Sequence, residues 1–320
     1  MNPNIKGLIY GSIAAATYGM NPLFALPLYS AGMNVDSVLF YRYSLAIPIL
    51  AVMIKARGRD FRLKKNEILP LGIVGLLFAL SSLLLFQSYN YMDAGIASTL
   101  LFVYPIMVAV IMAVFFKEKI TLLTVACICM ALSGIALLYK SDDGTSLSLT
   151  GVIMVLFSAL TYAIYIVSVN KSVLKEIATV KLTFYALIFG TLLFFVRLDF
   201  GTSLQIVPKW YLWGNVIALA VLPTVVSLLC TTQAIHTIGA TPTAILGALE
   251  PVTAVIFGVT VFGERLTGRL VIGIMLIIMA VMLIVAGGKL GTYLLRFRKL
   301  FPSLRKRGTA DPAENKQPSV

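Results

Sequence analysis

The chain contains two copies of one apolar pattern. Residues 7–41 recur at residues 151–185 with an offset of 144, and from residue 81 onward the offset is 146. The matched positions include Gly7/Gly151, Tyr18/Tyr162, Tyr41/Tyr185, Ser81/Ser227, Gln87/Gln233, Pro105/Pro251 and Glu118/Glu264. A duplicated apolar half is typical of membrane-embedded solute carriers, whose binding site lies where the two halves meet.

Apolar runs long enough to cross a bilayer occur ten times. Each crossing needs about 20 residues, and the chain is 59% hydrophobic and only 12% charged. Because lipid offers the backbone no hydrogen-bond partner, every run is predicted to be helical. We predict an all-α membrane protein of ten transmembrane helices arranged as two inverted five-helix repeats. Spans 1 to 10 are residues 5–29, 36–54, 68–90, 94–116, 121–139, 149–169, 179–196, 211–232, 241–262 and 268–287.

These spans divide the chain into three parts. Residues 5–140 form the first repeat (helices 1–5), residues 149–287 the second (helices 6–10), and residues 288–320 a basic tail. The end of the tail carries charges and proline with few apolar residues, so we predict that it is disordered. Spans 5 and 10 are the least polar, and they can face lipid or join two copies as a homodimer.

The net charge of +13 comes from basic residues whose distribution fits a membrane topology better than a nucleic-acid-binding surface. With the N-terminus inside, 20 of the 26 Lys and Arg residues lie on the inner side, as the positive-inside rule requires. Five spans per repeat is an odd number, so the second repeat enters from the opposite side. We therefore predict a multi-pass protein of the plasma (inner) membrane with both termini in the cytoplasm.

Polar stripes identify the helices that face a cavity. Span 6 carries Ser158, Thr161, Tyr162 and Tyr165 at helical spacing, span 1 carries Tyr10, Thr17, Tyr18 and Asn21, and span 8 carries Thr224, Ser227 and Thr231. Polar side chains in a bilayer turn away from lipid, either toward neighbouring helices or toward a polar cavity. Tyr18, Tyr104, Tyr162 and Tyr165 can pack against a solute and still hydrogen-bond to it.

Two charged residues lie inside spans where charge is costly. Glu250 lies about ten residues into span 9 ahead of Pro251, and a carboxyl group at that depth must be neutral or paired for part of a cycle. Arg42 lies within span 2, where it can bind an anionic group of a solute, pair with Glu250, or extend to the outer headgroups. In the repeat, Tyr104 is the residue equivalent to Glu250, and Ala186 is the residue equivalent to Arg42.

Three further polar residues are weaker candidates. Gln87 and Gln233 occupy the same place in both copies, which favours either a structural role or a pair of cavity-lining amides. His236 is the only histidine, and its ordinary pKa suits a proton relay. Glu118 and Glu264 each precede a Thr that can cap the next span, and because an acid near a helix start suits the helix dipole, we interpret both glutamates as structural.

These segments resemble a known family. Pro105 followed by Lys117-Glu118-Lys119-Ile120-Thr121, and Glu250-Pro251 followed by Gly263-Glu264-Arg265-Leu266-Thr267, are similar to the two motif blocks of the EamA-type branch of the drug/metabolite transporter superfamily. Phe40-Tyr41-Arg42 and Tyr18-Gly19-Met20-Asn21-Pro22 also resemble it. Two positions depart from the family pattern: Lys117 replaces a glycine, and span 7 lacks the arginine. The resemblance implies ten helices, inverted repeats and secondary transport of small metabolites, often amino-acid export.

We therefore expect a transporter that works by alternating access and not an enzyme. The expected substrate-binding residues are Tyr18, Asn21, Arg42, Gln87, Tyr104, Tyr162, Tyr165, Gln233 and Glu250, with Glu250 and His236 as candidate proton-coupling residues. We expect no metal and no cofactor, and the partners are a small solute and the lipid bilayer, not nucleic acid. The solute is an amino acid or a related polar or amphipathic molecule. The alternatives are an uncoupled facilitator and a carrier of a nucleobase, sugar or vitamin.

Overall fold

The fold is built from α-helices joined by short connections. A computed structural model describes residues 3–117, 122–139, 148–238, 243, 246–265 and 267–300, and these residues contain no β-strand. The helices are α1 (Pro3–Gly19), α2 (Asn21–Ser30), α3 (Val35–Ala56), α4 (Lys65–Ser88), α5 (Ala94–Leu101), α6 (Tyr104–Phe116), α7 (Leu122–Tyr139), α8 (Leu149–Lys171), α9 (Thr179–Arg197), α10 (Leu212–Ala220), α11 (Ser227–Ile238), α12 (Leu249–Phe262) and α13 (Gly268–Leu300).

Several of these helices can cross a membrane. By length and composition, six candidate spans occur among the described residues: Val35–Ala56, Lys65–Ser88, Ala94–Phe116, Leu149–Lys171, Thr179–Arg197 and Leu212–Ile238. Three shorter apolar helices cover Leu122–Leu138, Leu249–Phe262 and Gly268–Leu283. The prediction of an all-helical, multi-pass membrane protein is confirmed, and the count of ten spans stays a prediction.

Prolines lie where predicted spans are interrupted. Span 1 divides into α1 and α2, with Pro22 in the first turn of α2, and span 4 divides into α5 and α6, with Pro105 in the first turn of α6. Proline suits the first turn of a helix because its missing N–H has no partner there. In span 9, α12 begins at Leu249, so Glu250 and Pro251 lie in its first turn.

Span 8 contains a π-helical turn at residues Val221–Val226, between α10 and α11. Pro223 lies within it and cannot donate a backbone hydrogen bond, which favours the wider turn. Such turns insert extra backbone into a helix and occur frequently at functional sites.

Each half of the chain packs against the other half in matching pairs. The first helix of one repeat lies against the third helix of the other, so that α1 packs on α11 and α8 packs on α4. The third helix of each repeat also lies against the second helix of the other, so that α4 packs on α9 and α10 packs on α3. Two further pairs, α3 with α9 and α5 with α12, join equivalent helices of the two copies. This exchanged pairing is the pattern expected of a pseudo-two-fold arrangement.

Serine hydroxyls hold the exchanged pairs together. Ser81 on α4 donates to the backbone oxygen of Ser158 on α8 at 3.0 Å, and Ser158 donates back to the Ser81 oxygen at 2.7 Å. At the matching place in the other pair, Ser227 on α11 donates to the Ala14 oxygen on α1 at 2.9 Å. Part of the polar stripe predicted on spans 6 and 8 therefore joins helices.

Small residues let the backbones approach closely where α1 meets α12. A Cβ atom placed on Gly19 would overlap the Glu250 carbonyl oxygen and would lie 2.9 Å from the Thr253 Cβ. Only glycine fits this crossing without moving a backbone, so Gly19 determines how closely α1 approaches the start of α12.

The equivalent helices α6 and α12 both end at a residue whose backbone has the left-handed conformation. Gly263 has φ of +70° and Lys117 has φ of +56°. Lysine therefore keeps the turn that its glycine counterpart makes, although a side chain is disfavoured in this conformation.

Helix α13 continues to Leu300, thirteen residues beyond the predicted end of span 10. The described residues up to 286 form one unit and residues 287–300 belong to a second one; residues 301–320 of the predicted tail lie outside the described residues.

Replacing Gly19 by alanine should lower the stability of the folded protein by about 1–3 kcal/mol, because the added methyl group overpacks a backbone contact. Gly214→Ala on α10 is the matched control, since its Cβ would meet nothing within 4 Å. Thermal unfolding of both variants in detergent measures the difference. Equal midpoints would show that the α1–α12 crossing tolerates a side chain.

Candidate functional site

A cavity of about 490 Å³ lies between the two halves. Helices of both repeats line it, and its volume lies in the range of sites for small molecules. Six residues predicted from the sequence line it together: Tyr18, Arg42, Tyr104, Tyr162, Tyr165 and Glu250. The cavity extends to Gly11 on α1 and Ile235 on α11.

Arg42 is the buried cation of this cavity. Its side chain is 2% exposed, its Nε donates to the Thr224 hydroxyl at 3.0 Å, and its Cζ lies 5.1 Å from the ring centroid of Phe86. Among the described residues no carboxylate lies within ion-pair distance of it. The guanidinium group thus keeps further N–H donors for an anionic ligand group.

The π turn provides the hydrogen-bond acceptor for Arg42. Thr224 lies in this turn, and its hydroxyl accepts from Arg42 while approaching the Leu219 oxygen at 3.3 Å. Phe78 occupies the equivalent position in the first copy and also lines the cavity. The arginine and its acceptor therefore occur only once in the repeat. Their counterparts, Ala186 and Phe78, cannot form such a hydrogen bond, although the helices that carry them pack in the matching way.

Glu250 is the carboxyl group of the cavity. It lies in the first turn of α12, and its backbone N–H donates to the Gly247 oxygen at 2.9 Å. The Gly247 carbonyl oxygen, to which Pro251 cannot donate because it lacks an N–H group, therefore has a hydrogen-bond partner. Tyr18 lines the same cavity as Glu250 and Arg42.

Aromatic rings form one wall of the cavity. The centroids of Tyr104 and Tyr162 lie 4.8 Å apart, Tyr162 stacks on Tyr165 at 5.7 Å, and Phe78 lies 5.4 Å from Tyr165. Offset and edge-to-face contacts of this kind hold aromatic rings in fixed positions. The wall offers flat apolar surface, and its three phenols add polar atoms.

Four candidate residues do not line this cavity. Gln87 borders a second pocket of about 420 Å³, together with Asp36 and Arg197. Gln233 and His236 are exposed on α11. Asn21 is 2% exposed within the bundle, and its Oδ1 has no hydrogen-bond partner among the described residues. These positions remove them from the set of residues that we propose for solute binding in this cavity.

Several cavity residues were not predicted from the sequence. Phe78, Ser82 and Thr183 line the cavity, and Ser82 accepts a hydrogen bond from the Tyr43 hydroxyl at 2.7 Å. Phe78 precedes Ser81 by three residues and Ser82 by four, so the three share one face of α4. This spacing, and the match of Phe78 with Thr224 in the repeat, are the signals that could have identified it.

No group of three or more His, Cys, Asp or Glu side chains suitable for a metal ion occurs within the described ranges. The three cysteines are free thiols.

The family of the chain follows from its match over both halves. The description "EamA-like transporter family" matches residues 5–140 and again residues 149–286. The chain belongs to the EamA-like transporter family. It is therefore a membrane transporter, which confirms the resemblance noted in its motifs, and this family is one of transporters rather than enzymes.

Two transporters of other organisms are similar to this chain along most of their length. The uncharacterized transporter YcbK of Bacillus subtilis (strain 168) is 23% identical over 277 residues, which cover 83% of this chain and 88% of YcbK. An uncharacterized transporter of Archaeoglobus fulgidus is 24% identical over 250 residues, which cover 76% of this chain and 86% of that transporter.

A solved structure shares the fold. A chain titled only "Crystal structure of protein" has a TM-score of 0.65 at 17% identity, and the match covers 90% of this chain and 98% of that one. At this identity the likeness concerns the fold alone.

Thr224→Val should destabilise this EamA-like transporter by about 2 kcal/mol, because a buried guanidinium loses its hydrogen-bond acceptor. Thr232→Val is the matched control, since the Thr232 hydroxyl donates to the Leu228 oxygen of its own helix. Thermal unfolding in detergent at neutral pH compares the two. A smaller loss in Thr224→Val than in Thr232→Val would contradict the role given to Thr224.

Proposed function

We propose that this EamA-like transporter exports zwitterionic amino acids or closely related solutes by alternating access. The observation that carries the proposal is that Arg42 and Glu250, a cation and a carboxyl group, line one cavity and form no ion pair among the described residues. An arginine that keeps free donors suits a carboxylate, and a carboxylate suits an ammonium group. A solute that bears both groups can therefore bind Arg42 and Glu250 at the same time.

The aromatic wall supports an apolar or planar side chain on that solute. Tyr104, Tyr162 and Tyr165 with Phe78 cover one side with ring surface, and a bound side chain packs there without needing a specific partner. Sugars, which need many polar partners, fit this wall less well than amphipathic amino acids do.

Proton coupling through Glu250 completes the proposal. A carboxyl group at this depth is costly while charged, so it either holds a proton or faces an ammonium group. Exchange of these two partners at one carboxylate couples export of the solute to proton entry. The charge bias of the loops supports placement in the plasma (inner) membrane with both termini cytoplasmic.

The exposed apolar faces of α7 and α13 support contact with lipid or with a second copy of the chain. Leu132 on α7 is 60% exposed and Ile272 on α13 is 57% exposed. A homodimer through these faces is part of the proposal, and cysteine cross-linking between two copies in membranes tests it.

A transport screen in proteoliposomes tests the substrate class. Radiolabelled amino acids, nucleobases and sugars are each measured with and without a pH gradient. We expect uptake of amphipathic amino acids that increases when the gradient drives protons in the opposite direction. Flux that follows only the solute gradient would replace the proposal by uncoupled facilitated diffusion, and transport of nucleobases or sugars alone would overturn the substrate class.

Glu250→Gln should abolish the response to the pH gradient, because the amide cannot exchange a proton. It should also weaken amino-acid binding by about 10- to 100-fold, as expected for a charge-assisted hydrogen bond. Glu176→Gln, an exposed acid in the connection between α8 and α9, is the matched control. Full proton-coupled transport by Glu250→Gln would exclude Glu250 as the coupling residue.

A further inference from the structure

The second pocket, of about 420 Å³, lies near the ends of three helices that also line the cavity, α3, α4 and α9. Asp36 borders it in the first turn of α3, six residues from Arg42 of the cavity, or about 9 Å along the helix axis. Arg197 borders it at the end of α9, eleven residues or about 16 Å beyond Ala186 of the cavity. The same three helices therefore carry two separate spaces.

The cavity and the second pocket follow one another along the predicted transport route. The cavity extends to Gly11 on α1 and to Ile235 near the end of α11, where the predicted topology places the inner side. The second pocket lies at helix ends that this topology places outside. On α4 the completely buried Phe86 lies between Leu85, which lines the cavity, and Gln87, which lines the second pocket. An exported solute would meet the cavity first and the second pocket afterwards.

An ion pair between the two halves borders the second pocket. Arg197 Nε donates to Asp36 Oδ1 at 2.6 Å, and Arg197 Nη2 donates to Asp36 Oδ2 at 3.2 Å. The Arg197 side chain is 48% exposed, so water competes with the pair, and pairs of this kind contribute little to stability. The guanidinium group also keeps N–H donors that have no partner among the described residues. A charged ligand can therefore exchange partners with this pair at low cost.

The remaining lining of the second pocket combines amides with apolar side chains. Gln87 and Asn90 border it, and neither amide forms a hydrogen bond with another described residue. Both groups can therefore donate to or accept from a ligand. Four apolar side chains complete the lining: Met33, Val35, Leu83 and Leu84. A volume of this size, with apolar surface and a few polar groups, is typical of sites for small molecules.

The loop after α9 fixes the walls of the second pocket against each other. Gln205 in this loop accepts a hydrogen bond at its Oε1 from the Asn34 N–H at 2.5 Å and donates its own N–H to Ser37 Oγ at 3.0 Å. The Tyr41 hydroxyl donates to the Gln205 carbonyl oxygen at 3.2 Å. These bonds hold the start of α3, and with it Asp36, against the second repeat. The charged groups are thus positioned before a ligand arrives, which lowers the cost of binding.

We propose that the second pocket is an exit site, which binds the zwitterionic solute by both of its charged groups after the solute leaves the cavity. The solute carboxylate binds Arg197, its ammonium group binds Asp36, and its apolar side chain packs against the leucines of the wall. A cation and a carboxyl group line the cavity as well, so the solute exchanges one such set for another as it moves outward. The inference rests on the proposed function, from which it takes the class of solute.

Protection of a cysteine from a thiol reagent tests the exit site in the full-length chain. Cys127, Cys129 and Cys230 are replaced by alanine, and Leu84→Cys places a thiol on the apolar wall of the second pocket. At ten times its half-protecting concentration, L-phenylalanine should slow the reaction with a small uncharged methanethiosulfonate about tenfold, because only the empty pocket admits the reagent. Tyr91→Cys, at a position that is 45% exposed and does not line the pocket, is the control and should react at an unchanged rate. Unprotected Leu84→Cys would overturn the exit site.

Two analogues that each carry one charge of L-phenylalanine test the class of ligand. The ammonium group is missing from 3-phenylpropionate, and the carboxylate is missing from 2-phenylethylamine. We expect each analogue to need a concentration about 10- to 100-fold higher for half-protection, since one charge-assisted hydrogen bond is lost. Protection by either analogue at the concentration that suffices for L-phenylalanine would show that the pocket does not recognise both charges, and would overturn the proposal.

Substitutions of the ion pair separate binding from a purely structural contact. Asp36→Asn should remove the preference for the ammonium group, so that L-phenylalanine and 3-phenylpropionate protect at the same concentration. Arg197→Gln should in the same way equalise L-phenylalanine and 2-phenylethylamine. Arg265→Gln, which removes another exposed positive charge, is the matched control and should keep both preferences. Wild-type preferences in the first two variants would exclude the pair as the binding groups, whatever the stability of those variants.

The Glu250→Gln background distinguishes the exit site from the proposed function. We expect L-phenylalanine to protect Leu84→Cys in that background too, because the second pocket is unchanged. Loss of protection there, with no effect of Asp36→Asn, would place all binding in the cavity and overturn the exit site. Protection that depends on Asp36 and Arg197 would support the exit site as a binding site even if the transport screen overturned the proposed function.

Discussion

The exchanged packing of first and third helices is the constraint on which the rest of the structure depends. Lipid gives helices no hydrophobic reason to associate, so close backbone contact and hydrogen bonds must hold them. Ser81 with Ser158, and Ser227 with the Ala14 carbonyl, provide such bonds at matching places in the two pairs. Because each half needs helices of the other, neither encloses a cavity alone, and the cavity forms where they meet.

The chemistry of the cavity comes from places where the two copies differ. The residue equivalent to Arg42 in the other copy is Ala186, and the one equivalent to Glu250 is Tyr104. The Arg42 acceptor Thr224 is equivalent to Phe78. A symmetric pair of halves would place like groups on both sides. The substitutions instead put a cation and a carboxyl group in one space, and at Thr224 they coincide with a π turn that the other copy lacks. The two copies share the packing of their helices, whereas the charged residues that we propose to bind the solute occur in one copy only.

Sequence periodicity identified cavity residues best where a helix is regular. Tyr162 and Tyr165 lie on one stripe of α8 and line the cavity together. Gln233 was predicted from its match with Gln87, but it lies two residues after Thr231 and two before Ile235, which line the cavity, so at about 100° per residue it faces away from them and is exposed. Gln87 is kept in both copies and borders a different pocket, so identity between the copies is no sign of the cavity.

The sequence by itself determined the membrane class, the repeats, the family and the buried charges, because apolar length, spacing and the cost of charge in lipid are local properties. Only the tertiary structure decided which groups those charges contact. The sequence suggested that Glu264 is a structural acid at the start of the next helix. Its carboxyl group instead accepts a hydrogen bond from the Ala94 N–H at the start of α5, 170 residues away in the chain, because packing brings that backbone close to it. Likewise, the separation of Arg42 from Glu250 depends on how α3 and α12 are placed by packing.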